Sequence, residues 1–108
     1  MIPSGVPVFV ALAPIDMRYS FDRLAGAAKE QIGYDPRGGA LFVFFGKRRD
    51  AVKVLFFDGS GMCVFYKRLD RGTFRLPTSL DGATRVEITE PELEALLDGI
   101  GVEVERVH

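Results

Sequence analysis

The stretch "LFVFFGKRRDAVKVLFFDGSGMCVFYKRL", residues 41–69, holds three apolar runs separated by two short polar connections. The connections, "GKRRD" and "DGSG", are four or five residues long and contain glycine. Because parallel crossovers need about a dozen residues or more, these lengths favour consecutive antiparallel hairpins. The middle of the chain therefore predicts a three-stranded meander.

Both faces of this predicted sheet are apolar, since Phe42 and Phe44 alternate with Val43 and Phe45. Such strands are not typical of a sheet with one wet side. A single helix covers only one face. The other face must therefore be covered by a second helix or by another chain.

The residues before the meander predict one strand and one helix. The apolar run 6–13 is bounded by Pro7 and Pro14, which favours a strand near a sheet edge because proline cannot donate to a ladder. Ser20 is a good helix N-cap, an apolar stripe with helical spacing follows it, and Gly33 supplies a left-handed stop.

The residues after the meander predict a second helix between two strands. Thr89 and Glu92 match a capping box, Ile88 and Leu93 stand at the positions of a hydrophobic staple, and the helix should run from Glu90 to about Asp98. Strands are predicted in 84–89 and 102–107. The fold class is therefore α+β, a single domain over 1–108 with a mainly antiparallel meander sheet of about five strands and two helices.

The composition fits a soluble cytoplasmic domain. With 108 residues and 47% hydrophobic content, the chain can bury a core of its own. The lone Cys63 cannot form an internal disulfide, which favours a reducing compartment. No 18-residue apolar span and no secretory signal are present, so we expect neither a membrane segment nor processing.

The charge is split along the chain. Residues 37–75 contain nine basic and three acidic side chains, a net charge of +6, whereas the residues from Leu76 onward have a net charge of −6. A basic half that also carries aromatic residues suits a polyanion such as DNA. Equally, the acidic half of the chain is able to lie against the basic middle and neutralise it.

Strand direction brings two basic segments together, because the connections at 46–50 and 69–75 both follow strands that run the same way in the meander. We expect their cations to hold phosphates, and Tyr66 or Phe74, where exposed, to stack on bases. The candidate nucleic-acid-binding residues are Lys47, Arg48, Arg49, Lys53, Tyr66, Lys67, Arg68, Arg71 and Arg75.

No catalytic constellation is evident. The single histidine, His108, is the last residue, and Cys63 stands in an apolar run without a base to activate it. Asp50, Asp58 and Asp70 would form a two-metal site only if they converged, and each falls in a predicted turn, where aspartate is common for structural reasons. We expect no enzyme activity, no cofactor and no metal.

These segments resemble a known family, the TnpB-type accessory proteins encoded by the second reading frame of insertion-sequence-66 transposons. The resemblance rests on "DMRYSFDRLA" (16–25), "DPRGGALFVF" (35–44), the "KRRD" turn with Lys53 after it, and "DGSGMCVFYKRLDRGTFRLP" (58–77). About three quarters of the chain is covered. The family usually carries tryptophan where Phe57 and Leu76 stand, and tends toward a basic residue at Phe45 and Thr73.

The resemblance implies participation in DNA transposition beside a separate transposase that carries the catalytic residues. Our first hypothesis is an accessory protein that binds DNA, such as the transposon ends, without catalysis. The alternative is an interaction module that bridges the transposase complex, or other proteins of the element, through the surplus aromatic sheet face and without direct DNA contact. Self-association into a homo-oligomer is compatible with that face.

Overall fold

The computed structural model describes residues 3–77 and 82–99, which form one α+β domain. Within these residues the chain forms five strands and two helices, one of which continues as a π-helical segment, Ala28–Ile32. In chain order the elements are β1 (Val8–Ala11), α1 (Phe21–Ala27), β2 (Leu41–Phe45), β3 (Ala51–Phe57), β4 (Met62–Arg68), β5 (Arg85–Ile88) and α2 (Glu90–Leu97).

The five strands form one mixed sheet in the order β4-β3-β2-β1-β5. The predicted meander is confirmed, because β2 pairs antiparallel with β3 and β3 antiparallel with β4. The strand predicted before the helix α2 is confirmed as β5, which pairs antiparallel with β1. The pairing of β1 with β2 is parallel, so the sheet is mainly but not purely antiparallel.

The expectation that β1 lies near a sheet edge holds in part, because β1 is next to the edge strand β5 but is itself paired on both sides. β1 lies between β2 and β5: residues 8–10 pair with β2, and residues 8–11 pair with β5. Pro7 immediately precedes the strand, where a missing amide proton interrupts no ladder, and its carbonyl accepts a hydrogen bond from the Leu41 amide at 2.9 Å. The proline therefore marks the start of an interior strand.

One face of the sheet is covered by α1 and the π-helical segment. Leu24, Ala28 and Ile32 are buried there against a sheet face that includes Phe42 and Phe44. Gly33 ends the segment with a left-handed φ of 84°, and its amide donates to the Ala28 carbonyl at 2.9 Å. The predicted helix and its glycine stop are confirmed.

The other face is covered by α2 and by Phe74, which follows β4. The predicted capping box is present: the Thr89 side chain accepts from the Glu92 amide, and the Glu92 carboxylate accepts from the Thr89 amide at 2.8 Å. Ile88, Leu93 and Leu96 are buried in the same core cluster as Phe74. Both aromatic faces of the sheet are thus covered by elements of this chain.

Two sequence predictions concern membrane crossing and a last strand. Neither helix in 3–77 and 82–99 combines the length and apolar character that crossing a membrane requires. The strand predicted at 102–107 lies outside the described residues.

Candidate nucleic-acid interface

The β2–β3 turn, residues 46–50, presents three consecutive cations to solvent. The Arg49 amide donates to the Gly46 carbonyl at 3.0 Å, and Arg49 itself adopts a left-handed backbone with φ of 58°. Left-handed conformations are uncommon for residues other than glycine, so Arg49 adopts an unusual backbone conformation in this turn. Lys47, Arg48 and Arg49 are all exposed.

The segment that follows β4, residues 69–75, is hydrogen-bonded to this turn. The Leu69 amide donates to the Asp50 carbonyl at 2.8 Å, and the Phe74 amide donates to the Arg49 carbonyl at 2.6 Å. The Phe74 ring is buried with its centroid 5.7 Å from that of Phe45. The predicted convergence of the two basic segments is confirmed.

Six of the nine predicted binding residues are cations exposed at or beside these two loops. We call them the basic end of the sheet: Lys47, Arg48, Arg49, Arg68, Arg71 and Arg75.

Lys53 is instead part of the interior, with only 8% of its surface exposed. Its ammonium donates to the Tyr19 carbonyl at 2.6 Å and lies 4.9 Å from the centroid of the Tyr66 ring. A cation held in this way ties the segment before α1 to β3 and β4. We therefore leave Lys53 out of the candidate interface.

Lys67 is also committed to the fold. It lies on the opposite face of the sheet from Tyr66, and its ammonium donates to the Leu97 carbonyl at 2.7 Å. That carbonyl belongs to the last residue of α2, where the helix presents unpaired acceptors and partial negative charge. Lys67 therefore fastens the end of α2 to the sheet.

Tyr66 and Phe74, the two predicted stacking residues, differ in exposure. Phe74 is 1% exposed and belongs to the core, whereas Tyr66 is 48% exposed. The Tyr66 hydroxyl accepts a hydrogen bond from Arg68 Nη2 at 3.0 Å, which holds the guanidinium beside the ring. Tyr66 alone of the two has a surface that another molecule is able to contact.

The structure adds four residues that the site prediction missed, all from "DMRYSFDR" (16–23): Asp16, Arg18, Tyr19 and Arg23. Arg18 forms a two-pronged pair with Asp16, with contacts of 3.0 Å from Nε and 2.6 Å from Nη2. The Arg23 guanidinium lies 5.3 Å from the Tyr19 ring centroid. The segment contacts Lys53, whose ammonium donates to the Tyr19 carbonyl. The sequence signal that could have identified the segment is its part in the family resemblance.

The Asp16 carboxylate is held ionised by this arrangement. Hydrogen bonds from the Arg18 side chain and amide lower the pKa of Asp16 to about 2. The same pairing raises the pKa of Arg18. Much of the Arg18 charge is therefore compensated locally, unlike the charges of the basic end.

A cleft of about 490 Å³ opens between the segment that precedes α1 and the β2–β3 turn. The Ile15 amide donates to the Phe45 carbonyl at 2.8 Å and joins the two walls at their base. A Cβ added at Gly46 would approach Met17 Cγ to 2.8 Å, so glycine there allows Met17 to pack directly on the turn. The lining residues are Pro14, Ile15, Asp16, Met17, Gly46, Lys47, Arg48, Asp50, Ala51 and Arg68.

The three turn aspartates do not converge. Asp50 and Asp58 lie at opposite ends of β3, seven residues that span about 23 Å. Asp58 closes its own turn, since its Oδ1 accepts from the Ser60 amide and the Gly61 amide, both at 2.9 Å, and from Ser60 Oγ at 3.0 Å. Within the described ranges, no cluster of three or more histidine, cysteine or carboxylate side chains is placed to hold a metal.

Asp58 and Cys63 have perturbed acidities with structural causes. The hydrogen bonds from Ser60 and Gly61 lower the pKa of Asp58 to about 2. Burial and the nearby Asp58 carboxylate raise the pKa of the Cys63 thiol, which is the reverse of what an activated nucleophile requires.

The acidic part of the chain does not neutralise the basic end through the residues seen here. In 3–77 and 82–99, none of the six cations of the basic end forms a salt bridge, whereas Arg18 forms one with Asp16. The basic end is therefore not paired off by α2 or β5.

Comparison with known proteins gives a consistent picture. Residues 6–107 match the family model described as IS66 Orf2 like protein. Two proteins of Sinorhizobium fredii (strain NBRC 101917 / NGR234) are similar over most of the chain: "Uncharacterized protein y4hO" is 43% identical over 93% of this chain and 87% of its own length, and "Uncharacterized protein y4jC" is 33% identical over 89% and 80%. No solved structure matches the chain significantly.

Proposed function

The chain belongs to the IS66 Orf2-like family, and from that premise we propose that it assists transposition by binding DNA without catalysis through its basic end. The family indicates an accessory role in transposition of an insertion-sequence element. The DNA contact is our own inference, and it rests on how the chain distributes its cations.

The observation that carries this proposal is the joining of two basic loops by backbone hydrogen bonds. Bonds from Leu69 to Asp50 and from Phe74 to Arg49 gather cations from two separate segments at one end of the sheet. Five of the six cations are arginines, whose planar guanidinium groups match phosphate geometry in pairs of hydrogen bonds. An array of this kind follows a phosphate backbone well.

Such contacts give affinity and position, and by themselves they do not read sequence. The exposed Tyr66 ring adds a surface for stacking against a sugar or base. We therefore expect binding that tolerates many sequences, with any preference for transposon ends supplied by the transposase.

A salt titration tests the proposal. With about five phosphates engaged, the logarithm of affinity for a terminal-repeat duplex should fall against the logarithm of salt concentration with a slope of about −4 to −5. Fluorescence anisotropy at several salt concentrations measures this slope. A flat response would contradict DNA binding through the basic end.

Two matched variants locate the contact. Arg48→Gln removes one charge from the basic end and should reduce the size of the slope by about one. Arg37→Gln removes one exposed charge from the turn that precedes β2, at the other end of that strand, and should leave the slope unchanged. Equal effects of the two variants would mean that the basic end is not the contact surface.

The competing function is a bridge between proteins of the transposase complex. Its original basis, an open aromatic sheet face, is weakened because Phe42, Phe44 and Phe45 are all buried by this chain's own elements. Co-purification with the transposase in high salt, together with no DNA retardation at any ionic strength, would favour that function over ours.

A further inference from the structure

We propose that the cleft between residues 14–17 and the β2–β3 turn binds one unpaired nucleotide of a DNA strand whose phosphates lie on the basic end. The inference rests on the proposed DNA binding and goes beyond it, because it names single-stranded DNA as the preferred form. The cleft has a volume of about 490 Å³, which lies within the range of about 300–1,000 Å³ that is usual for pockets that hold small ligands.

One side of the cleft is built to hold a phosphate. Lys47, Arg48 and Arg68 all line it. Arg68 is oriented by its hydrogen bond to the Tyr66 hydroxyl at 3.0 Å, so its guanidinium loses little freedom on binding an anion. Lys47 and Arg48 belong to the β2–β3 turn and Arg68 is the last residue of β4, and all three are part of the exposed basic end.

The facing wall is apolar and suits the flat face of a base. It is formed by Pro14, Ile15 and Met17. Met17 packs on Gly46, where an added Cβ would come within 2.8 Å of its Cγ, so the thioether side chain is held against the turn. Methionine makes favourable contacts with aromatic rings through its polarizable sulfur.

A carboxylate in the lining distinguishes a nucleotide from a simple anion. Asp16 and Asp50 both line the cleft, but the Asp16 carboxylate is already paired with Arg18, so Asp50 is the carboxylate that a bound nucleotide would contact. Carboxylate oxygens accept hydrogen bonds from the exocyclic amino groups of bases. A nucleotide offers a phosphate to the cations and an exocyclic amino group to Asp50, whereas a simple anion has no donor for that carboxylate.

The concave shape favours an unpaired nucleotide over a duplex. In a duplex the bases are stacked and paired, so only the backbone reaches a protein surface without distortion of the helix. A base in a single strand is free to enter the cleft, and stacking on protein side chains tolerates every base. The basic end then holds the flanking phosphates.

The test compares two probes that differ only in an unpaired segment. One is a blunt duplex, and the other is the same duplex with a single-stranded extension; both are measured by anisotropy at one salt concentration. We expect the extended probe to bind about tenfold more tightly. Equal affinity for the two probes, with a steep salt response for both, would overturn the cleft inference and leave the proposed function standing.

Variants of two arginines assign the preference to the cleft. Arg68→Gln alters the lining and should remove most of the preference for the extended probe. Arg71→Gln removes an exposed charge that does not line the cleft, and should weaken binding of both probes by the same factor. The same loss of preference in both variants would contradict a site in the cleft.

A neutral variant tests the apolar wall without changing the charge. Met17→Ala should lower the preference for the extended probe while the salt slope stays the same, and Met17→Leu should retain it. Thermal unfolding of each variant separates this effect from a loss of folding, since Met17 also packs against the core. A failure of both probes to bind the unaltered protein would overturn the proposed function itself.

A competition experiment identifies the class of occupant. If an acidic peptide displaces the extended probe at a lower concentration than free single-stranded DNA does, the occupant of the cleft is a protein and the cleft inference is wrong.

Discussion

The two ends of the β2–β3–β4 meander use their polar turn residues in opposite ways. At one end, the Asp58 carboxylate accepts three hydrogen bonds from Ser60 and Gly61, and these hydrogen bonds stabilise the turn. At the other end, the β2–β3 turn is closed by backbone bonds, and its three cations extend into solvent.

This difference separates charges that build the fold from charges that are offered to a ligand. A side chain whose partners lie within its own turn lowers the energy of that turn and has little capacity left for binding. A turn that satisfies its backbone without its side chains leaves their charges to interact with another molecule. The same distinction divides the cations themselves, since Lys53 and Lys67 are bonded to carbonyls and the six cations of the basic end are exposed.

The largest expected effect comes from removing the anchor beneath the basic end. Phe74→Ala deletes a ring that is 1% exposed and should lower the free energy of unfolding by about 3–5 kcal/mol. Urea denaturation measures this loss. Phe21→Ala is the control, because Phe21 is 46% exposed and its removal should change stability by no more than about 0.5 kcal/mol. Similar values for both variants would mean that the loop is not held by this ring.

A smaller loss is expected when the buried lysine is neutralised. Lys53→Met keeps most of the side-chain stem but leaves the Tyr19 carbonyl without its donor, which should cost about 1–3 kcal/mol of stability. Lys47→Met at the exposed turn should leave urea stability nearly unchanged and weaken DNA binding instead. The opposite pattern would place Lys53 among the ligand-binding cations.

The cation at the end of α2 should matter less again. Lys67→Met removes a hydrogen bond to the Leu97 carbonyl and a favourable charge at the helix C-terminus, together about 0.5–1.5 kcal/mol. Lys29→Met, on the exposed side of the π-helical segment, is the matched control for loss of one charge. If the two variants unfold at the same urea concentration, Lys67 does not stabilise α2.

The smallest effect is expected at the Asp58 turn, and it depends on pH. The pKa of Asp58 is about 2 in the folded chain against an ordinary 3.8, so its contribution to stability is present above the ordinary value and is lost as the pH falls toward 2. The stability advantage of the unaltered protein over Asp58→Asn should therefore shrink between about pH 5 and pH 2. Ser60→Ala removes one of the three hydrogen bonds to Asp58, so an NMR titration of this variant should give an Asp58 pKa between about 2 and the ordinary 3.8. A constant difference across this range would contradict the assignment.

The local parts of the fold were predictable because their signals are local. Short glycine-bearing connections identified the hairpins, and Thr89 with Glu92 identified the start of α2. The position of β1 was not predictable in the same way, because its parallel pairing with β2 and its pairing with β5 depend on distant segments. Pro7 was informative about where the strand starts, and it was misleading about the strand's neighbours.

For the candidate site, strand direction predicted the convergence of the two loops, but sequence could not show the fate of each side chain. Lys53 donates a hydrogen bond to the Tyr19 carbonyl, and Lys67 donates one to the Leu97 carbonyl. Each partner is about thirty residues away along the chain, so the sequence around either lysine does not predict it. Phe74 was a stacking candidate because it stands among arginines, yet the return of its segment onto the sheet buries it.

The place of β1 between β2 and β5 also bears on the order of folding. Val8 pairs with Leu41 on one side and with Ile88 on the other, whereas the strands of the meander pair with their immediate neighbours in sequence. Because the entropy cost of closing a loop grows with its length, the β1–β5 seam is the most expensive contact of the sheet to form. While the chain is being synthesised and β5 has not yet been made, one edge of β1 stays unpaired. An unpaired strand edge of this kind can pair with strands of other molecules.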